Sequence, residues 1–169
     1  MNNTFLKYGL LFVVLILLQV SVFNNVSLFG YAQPMFYILF VFLYPVTQRK
    51  SLFLILAFSL GLSIDFFSNS GGINAAATLF IAYFRLPILK TITRKIEFDN
   101  DQFNFNNLPI GEQFGYLFIL TFIHHFIIFQ LSYFKFDALS LVFSHALFSS
   151  FFTLVLLLIY SGLFLKKTR

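Results

Sequence analysis

The chain has 169 residues, of which 59% are hydrophobic and 10% charged, and its net charge is +5. Soluble domains are about 45–50% apolar and about 25% charged, so this chain has too few charges to cover a soluble surface. The composition excludes an ordinary soluble domain and identifies an integral membrane protein.

Apolar runs predict six spans, in chain order 8–23, 34–46, 52–67, 73–89, 113–133 and 138–165. The run from Tyr8 to Phe23 is followed by Asn24-Asn25 with no small-x-small cleavage site, so it is expected to remain as a helix. Pro34 opens the second span, a position suited to a first helical turn. A full span needs roughly 20 residues, which makes the second and third short. Local thinning, an untilted helix or burial inside the bundle accommodates them. The competing arrangement is a re-entrant hairpin over Pro34–Phe67. The segment Ser68-Asn-Ser-Gly71-Gly72 reads as a turn with helix-capping residues. After it, Gly72 and Ala75-Ala76-Ala77 offer a small-residue face for close helix packing.

The long connection 90–112 starts basic (Lys90, Arg94, Lys95), turns acidic (Glu97, Asp99, Asp101) and becomes rich in Asn and Phe. Phe98, Phe103 and Phe105 are expected at the membrane surface or against a cytoplasmic partner. With six spans, one side carries Lys7, Arg49, Lys50, Lys90, Arg94, Lys95, Lys166, Lys167 and Arg169, and the other only Lys135. The positive-inside rule then puts both termini in the cytoplasm. Because the basic residues flank apolar runs, they are assigned to topology and anionic headgroups, with no nucleic-acid partner. No repeat divides the chain, which is read as a single polytopic membrane domain over 1–169.

The 28 Phe and absence of Trp read as codon bias in an AT-rich genome. Tyr8, Tyr31, Tyr37, Tyr44, Tyr83, Tyr116, Tyr133 and Tyr160 are left to supply any aromatic belt. Without cysteine, disulfides, thiolate nucleophiles and Cys-metal sites are excluded. No H-E-x-x-H, G-x-S-x-G or P-loop occurs, so no enzyme, catalytic residue or cofactor is expected.

Asp65, Arg85, His124, His125 and His145 are the ionisable residues within spans. A charge at such depth costs about 2.5 kcal/mol or more and needs a partner, water or a place near the interface. At 1.5 Å per residue, Asp65, His125 and His145 each fall ~10 Å from the outer edge. This layer is either a metal or proton site or a set of interhelical hydrogen bonds. The second reading is preferred, because His124 and His125 are adjacent and no metal-motif spacing is present. Arg85 falls near the inner end of its span, where it is expected to snorkel to headgroups. Asp65 needs donors: either His125 and His145, or the backbone N–H groups near Gly72–Asn74 at the start of the fourth helix. The helix start is favoured because it needs no second ionised group. If neutral hydrogen bonds suffice, Asp65→Asn is expected to be mild.

Gln19, Pro34, Gly61-Leu-Ser-Ile-Asp65, Gly72-Ile-Asn-Ala-Ala-Ala and Arg85-Leu-Pro87 together resemble the rod shape-determining protein MreD family. Length, span count and termini agree along nearly the whole chain, while the distinctive motif lies in 61–87. The Phe-rich spans and the Asn-rich loop depart from the family pattern. The resemblance implies an all-α six-transmembrane-helix bundle, similar to the membrane substrate-binding subunits of energy-coupling-factor transporters. It also implies a non-enzymatic subunit of the bacterial cell-elongation (rod) complex in the inner membrane. Implied partners are an MreC-like bitopic protein, the elongation glycosyltransferase and transpeptidase and, indirectly, the MreB filament. Gly61, Asp65, Gly72, Arg85, His125 and His145 are the structural or partner-binding candidates. The alternative is a small-molecule-binding membrane subunit of a vitamin-type transporter.

Overall fold

The computed structural model describes residues 2–27, 32–45, 50–94, 108–134 and 139–164. Most of the 90–112 connection, with Phe98, Phe103 and Phe105, lies outside the described residues, as do Arg49, Lys135 and the basic C-terminal residues.

Most of the described residues are helical, and no strand forms among them. Helices α1 (Asn2–Ser21), α3 (Lys50–Ser68), α4 (Ile73–Thr93), α5 (Ile110–Tyr133) and α6 (Leu139–Phe164) are long. Those five are also apolar enough to cross a membrane. Leu6, Leu10, Leu17, Phe66, Phe67, Phe151 and Leu163 stand exposed on their outer faces. Water would make such surfaces costly, whereas hydrocarbon does not.

The expected second span does not form as one helix. The chain from Gln33 to Pro45 makes a 3-10 turn (Phe36–Ile38) and a short helix α2 (Leu39–Leu43), with non-helical backbone at both ends. Tyr37, Ile38, Leu39, Phe40 and Val41 are buried among the long helices. Backbone outside regular helix survives at membrane depth only inside protein or along a water-filled cavity, because every N–H and C=O needs a partner.

This segment runs antiparallel to α1. At one end Gln19 donates to the Pro34 carbonyl (3.2 Å). At the other, the Tyr44 ring packs on Tyr8 with centroids 5.2 Å apart. Between Gln19 and Tyr8, α1 rises ~16 Å, so the broken segment carries the chain back across that depth. Asn24 Nδ2 donates to Ser68 Oγ at 2.8 Å, so α1 and α3 finish at the same end of the bundle. The α3–α4 turn is at this end, called the turn end below. Helix α3 is long and apolar enough to cross a membrane, more than one arm of a re-entrant hairpin over Pro34–Phe67 needs.

Helix α3 stops at Asn69, Gly71 and Gly72, all with positive φ. Gly72 (φ 93) is the residue before α4. A Cβ at Gly72 would meet no atom within 4 Å, so this glycine supplies conformation and not the expected close packing. Close packing belongs to Gly61, where a Cβ would fall 2.6 Å from the Cα of Ala75 and from the Asn74 carbonyl oxygen. Helices α3 and α4 touch backbone to backbone there.

Candidate functional site

Asp65 lies in the last turn of α3 and is 4% exposed. Its Oδ1 accepts the Asn74 N–H (2.9 Å), the Asn74 side-chain Nδ2–H (3.0 Å) and the Ser70 hydroxyl. Its Oδ2 accepts the Ala75 N–H at 2.8 Å. The first N–H groups of a helix have no partner within it, and the N-terminus favours negative charge. Gly72 has no side chain to cap α4, so Asp65 of the preceding helix does so. Both carboxylate oxygens are engaged by backbone N–H donors, which an asparagine cannot match. Its amide nitrogen would face a donor, so with both oxygens engaged Asp65→Asn is expected to cost more than a mild effect.

Neither His125 nor His145 bonds Asp65, so the predicted layer of three does not assemble. His125 is fully buried. Its Nδ1 lies 2.9 Å from the Thr121 carbonyl, an acceptor only, so Nδ1 carries the proton. Its Nε2 lies 3.2 Å from the Thr153 hydroxyl of α6. His145 is half-buried, with Nδ1 2.9 Å from the Tyr133 hydroxyl. Both histidines thus tie α5 to α6. No group of His, Asp or Glu among the described residues is placed to hold a metal ion.

Arg85 does not snorkel. It is 4% exposed, and its guanidinium plugs the end of the broken segment. Nη1 donates to the carbonyls of Val41 (2.7 Å) and Tyr44 (2.9 Å), and Nη2 to Pro45 (3.1 Å). The Phe53 ring packs 3.6 Å from its central carbon. Unpaired carbonyls at the end of α2 carry partial negative charge, and a planar fork of N–H donors matches them. Asp65 and Arg85 therefore each close a helix end, at opposite ends of the α3–α4 pair.

The start of the broken segment is closed by neutral side chains. The Gln33 N–H donates to Ser149 Oγ (3.1 Å), the Met35 N–H to Thr153 Oγ1 (3.0 Å) and the Tyr37 N–H to Gln19 Oε1 (3.3 Å). Tyr37 reaches further: its hydroxyl lies 3.0 Å from Asn74 Oδ1 and 3.0 Å from His124 Nε2. With Asn74 Nδ2 committed to Asp65 and Ser70, Asn74 Oδ1 accepts from Tyr37. The Tyr37 oxygen then accepts from His124 Nε2–H. A hydrogen-bonded chain, Asp65–Asn74–Tyr37–His124, links α3, α4, the broken segment and α5. Tyr37, Tyr44 and Tyr116 are buried, so they are not belt residues.

Tyr37 and Thr153 have no role in the predicted site, Asn74 enters it only through its backbone N–H, and His124 only as an ionisable residue within a span. Asn74 had the clearest sequence signal, as a polar residue in the first turn after Gly71-Gly72.

At the turn end a cavity of about 430 Å³ opens between α1 and the residues after it, the start of the broken segment, the α3–α4 turn and α5. Amide and hydroxyl side chains line it: Gln19, Asn24, Asn25, Gln33, Ser68, Ser70, Asn74 and Ser132. Val20, Met35, Ile64, Phe67, Ile73 and Ile128 supply the apolar wall.

Comparison with protein-family models, curated proteins and solved structures finds no match.

Proposed function

We propose that this chain is a non-enzymatic membrane subunit of the bacterial cell-elongation machinery. In this reading it sits in the inner membrane with both termini cytoplasmic, docks an MreC-like bitopic protein and helps position peptidoglycan synthesis. The elongation glycosyltransferase and transpeptidase are its further partners, with the MreB filament reached indirectly.

One observation carries the reading. Gly61, Asp65, Gly72 and Arg85, the core of the MreD-like motif, all hold the fold: the first three join α3 to α4 toward the turn end, and Arg85 closes the broken segment at the other. Residues spent on rigidity suit a subunit that presents a fixed surface to a neighbouring helix. Depletion in a rod-shaped host is expected to round the cells, and affinity capture of the tagged chain is expected to recover an MreC-like protein. Unchanged shape without such a partner would overturn it.

The second reading, a small-molecule-binding subunit of a vitamin-type transporter, is favoured by the polar cavity at the turn end. It requires an ATPase module to copurify with the chain.

A further inference from the structure

We propose that the turn-end cavity binds an uncharged, polyhydroxylated group of sugar-like chemistry. The inference rests on the cavity that favours the second reading, not on transport, and a scaffold can hold such a group equally well.

Three features carry it. The first is size, since about 430 Å³ lies within the range of about 300–1,000 Å³ usual for small-molecule sites.

The second is charge. Among the described residues, all the polar side chains that line the cavity are neutral amides or hydroxyls. Asp65, behind the floor, has both oxygens engaged by Ser70, Asn74 and Ala75, so it presents no open face to a cation. A charged ligand would lose its hydration here without gaining a counter-charge. A neutral polyol loses less, and amides return both donors and acceptors to its hydroxyls.

The third is the division between floor and wall. On the floor, Gln19 and Asn74 are buried and committed. Gln19 serves Asn24, Pro34 and Tyr37, and Asn74 serves Tyr37, Asp65 and Ser70. Around the wall, Gln33 is held by its backbone N–H on Ser149, and Asn25 by its Nδ2 on Ser21. The Gln33 carboxamide and Asn25 Oδ1 have no partner among the described residues. A rigid floor with polar groups at the wall places hydrogen bonds without reorganising the fold.

A free sugar and the headgroup of a glycolipid share this chemistry. The test uses the full chain in phosphatidylcholine nanodiscs, with binding read by titration and by thermal unfolding. The probes are maltose, diglucosyl diacylglycerol added to the nanodisc and, as the charged counterpart, phosphatidylglycerol. At least one neutral probe is expected to saturate and raise the unfolding temperature. Binding of maltose identifies a free-sugar site, and binding of the glycolipid alone identifies a headgroup site. The variants Gln33→Leu and Asn25→Leu are expected to weaken that probe about tenfold or more each, because each removes hydrogen bonds to the ligand. Without ligand, Gln33→Leu should unfold at the parent temperature and Asn25→Leu close to it, since Asn25 gives up only one exposed bond to the Ser21 carbonyl and neither side chain belongs to the buried network. Failure of both neutral probes, equal binding of phosphatidylglycerol, or unchanged affinity in both variants would overturn the proposal. A chain that binds a neutral probe but copurifies with no ATPase module would sink the transporter reading alone.

Discussion

Asp65 caps a helix to which it does not belong: its Oδ2 accepts the N–H of Ala75, in the first turn of α4, at 2.8 Å. The same carboxylate holds Ser70 and Asn74, so the α3–α4 turn is built around one side chain. Replacing Asp65 by Leu leaves the Asn74 and Ala75 N–H groups buried and unpaired. Asp65→Leu is expected to lose roughly 2–6 kcal/mol, from about 1–3 kcal/mol for each of the two orphaned donors. Asp65→Asn retains one acceptor oxygen and is expected to lose about 1–3 kcal/mol. Thermal unfolding in nanodiscs checks both, and parent-like stability of Asp65→Leu would show that the carboxylate is dispensable.

Gly61 and Gly72 separate two uses of glycine. Gly61→Ala drives a methyl group into the backbone of Asn74 and Ala75, so α3 and α4 must move apart and the Asp65 cap with them. Gly72→Ala meets open space but must hold φ near 93, at a cost of about 1–2 kcal/mol. Unfolding measurements should rank Gly61→Ala as the more damaging. The reverse order would mean that backbone contact at Gly61 does not set the helix pair.

Arg85 should resist replacement by lysine. Its fork spans the carbonyls of Val41, Tyr44 and Pro45 while its face packs on Phe53, and a lysine ammonium reproduces neither the spread nor the stacking. Arg85→Lys is expected to lose about 1–3 kcal/mol and Arg85→Leu more, because the buried carbonyls then go unpaired. Stability of Arg85→Leu equal to the parent would contradict the plug.

Tyr37→Phe removes the hydroxyl joining Asn74 to His124. Membrane hydrogen bonds are worth about 0.6–2 kcal/mol, so a loss of that order is expected, with the helices still in place. Tyr37→Phe combined with Asp65→Asn should be non-additive, since Asn74 is shared between the two.

The sequence made the five long helices legible, because an apolar run of membrane length has few other outcomes. The need of Asp65 for donors was equally legible, and so was the helix start that provides them. The breaking of the second span was not. Pro34–Val46 is as apolar as a true span, and what divides it is the availability of partners on other elements: Gln19, Ser149 and Thr153 at one end and Arg85 at the other. Arg85 was misplaced for the same reason, since backbone carbonyls leave no sequence signal. Tyr37 and His124 were obscured because a tyrosine in an apolar run also fits an interface belt, and adjacent histidines also fit two helix faces. Depth counting placed Asp65, His125 and His145 in one layer, but equal depth does not fix rotation about each helix axis.

The most direct test is the sidedness of Asn25 and Asn69, since the broken segment between α1 and α3 either returns the chain across the membrane or does not. Single cysteines at these two positions are probed with an impermeant maleimide in intact cells and in inverted vesicles. A returning segment puts both on one face, reactive together from outside, with a cysteine at Lys90 protected in cells and reactive in inverted vesicles. Labelling of Asn25 and Asn69 from opposite faces would contradict the crossing and, with it, the architecture on which the proposed docking role depends.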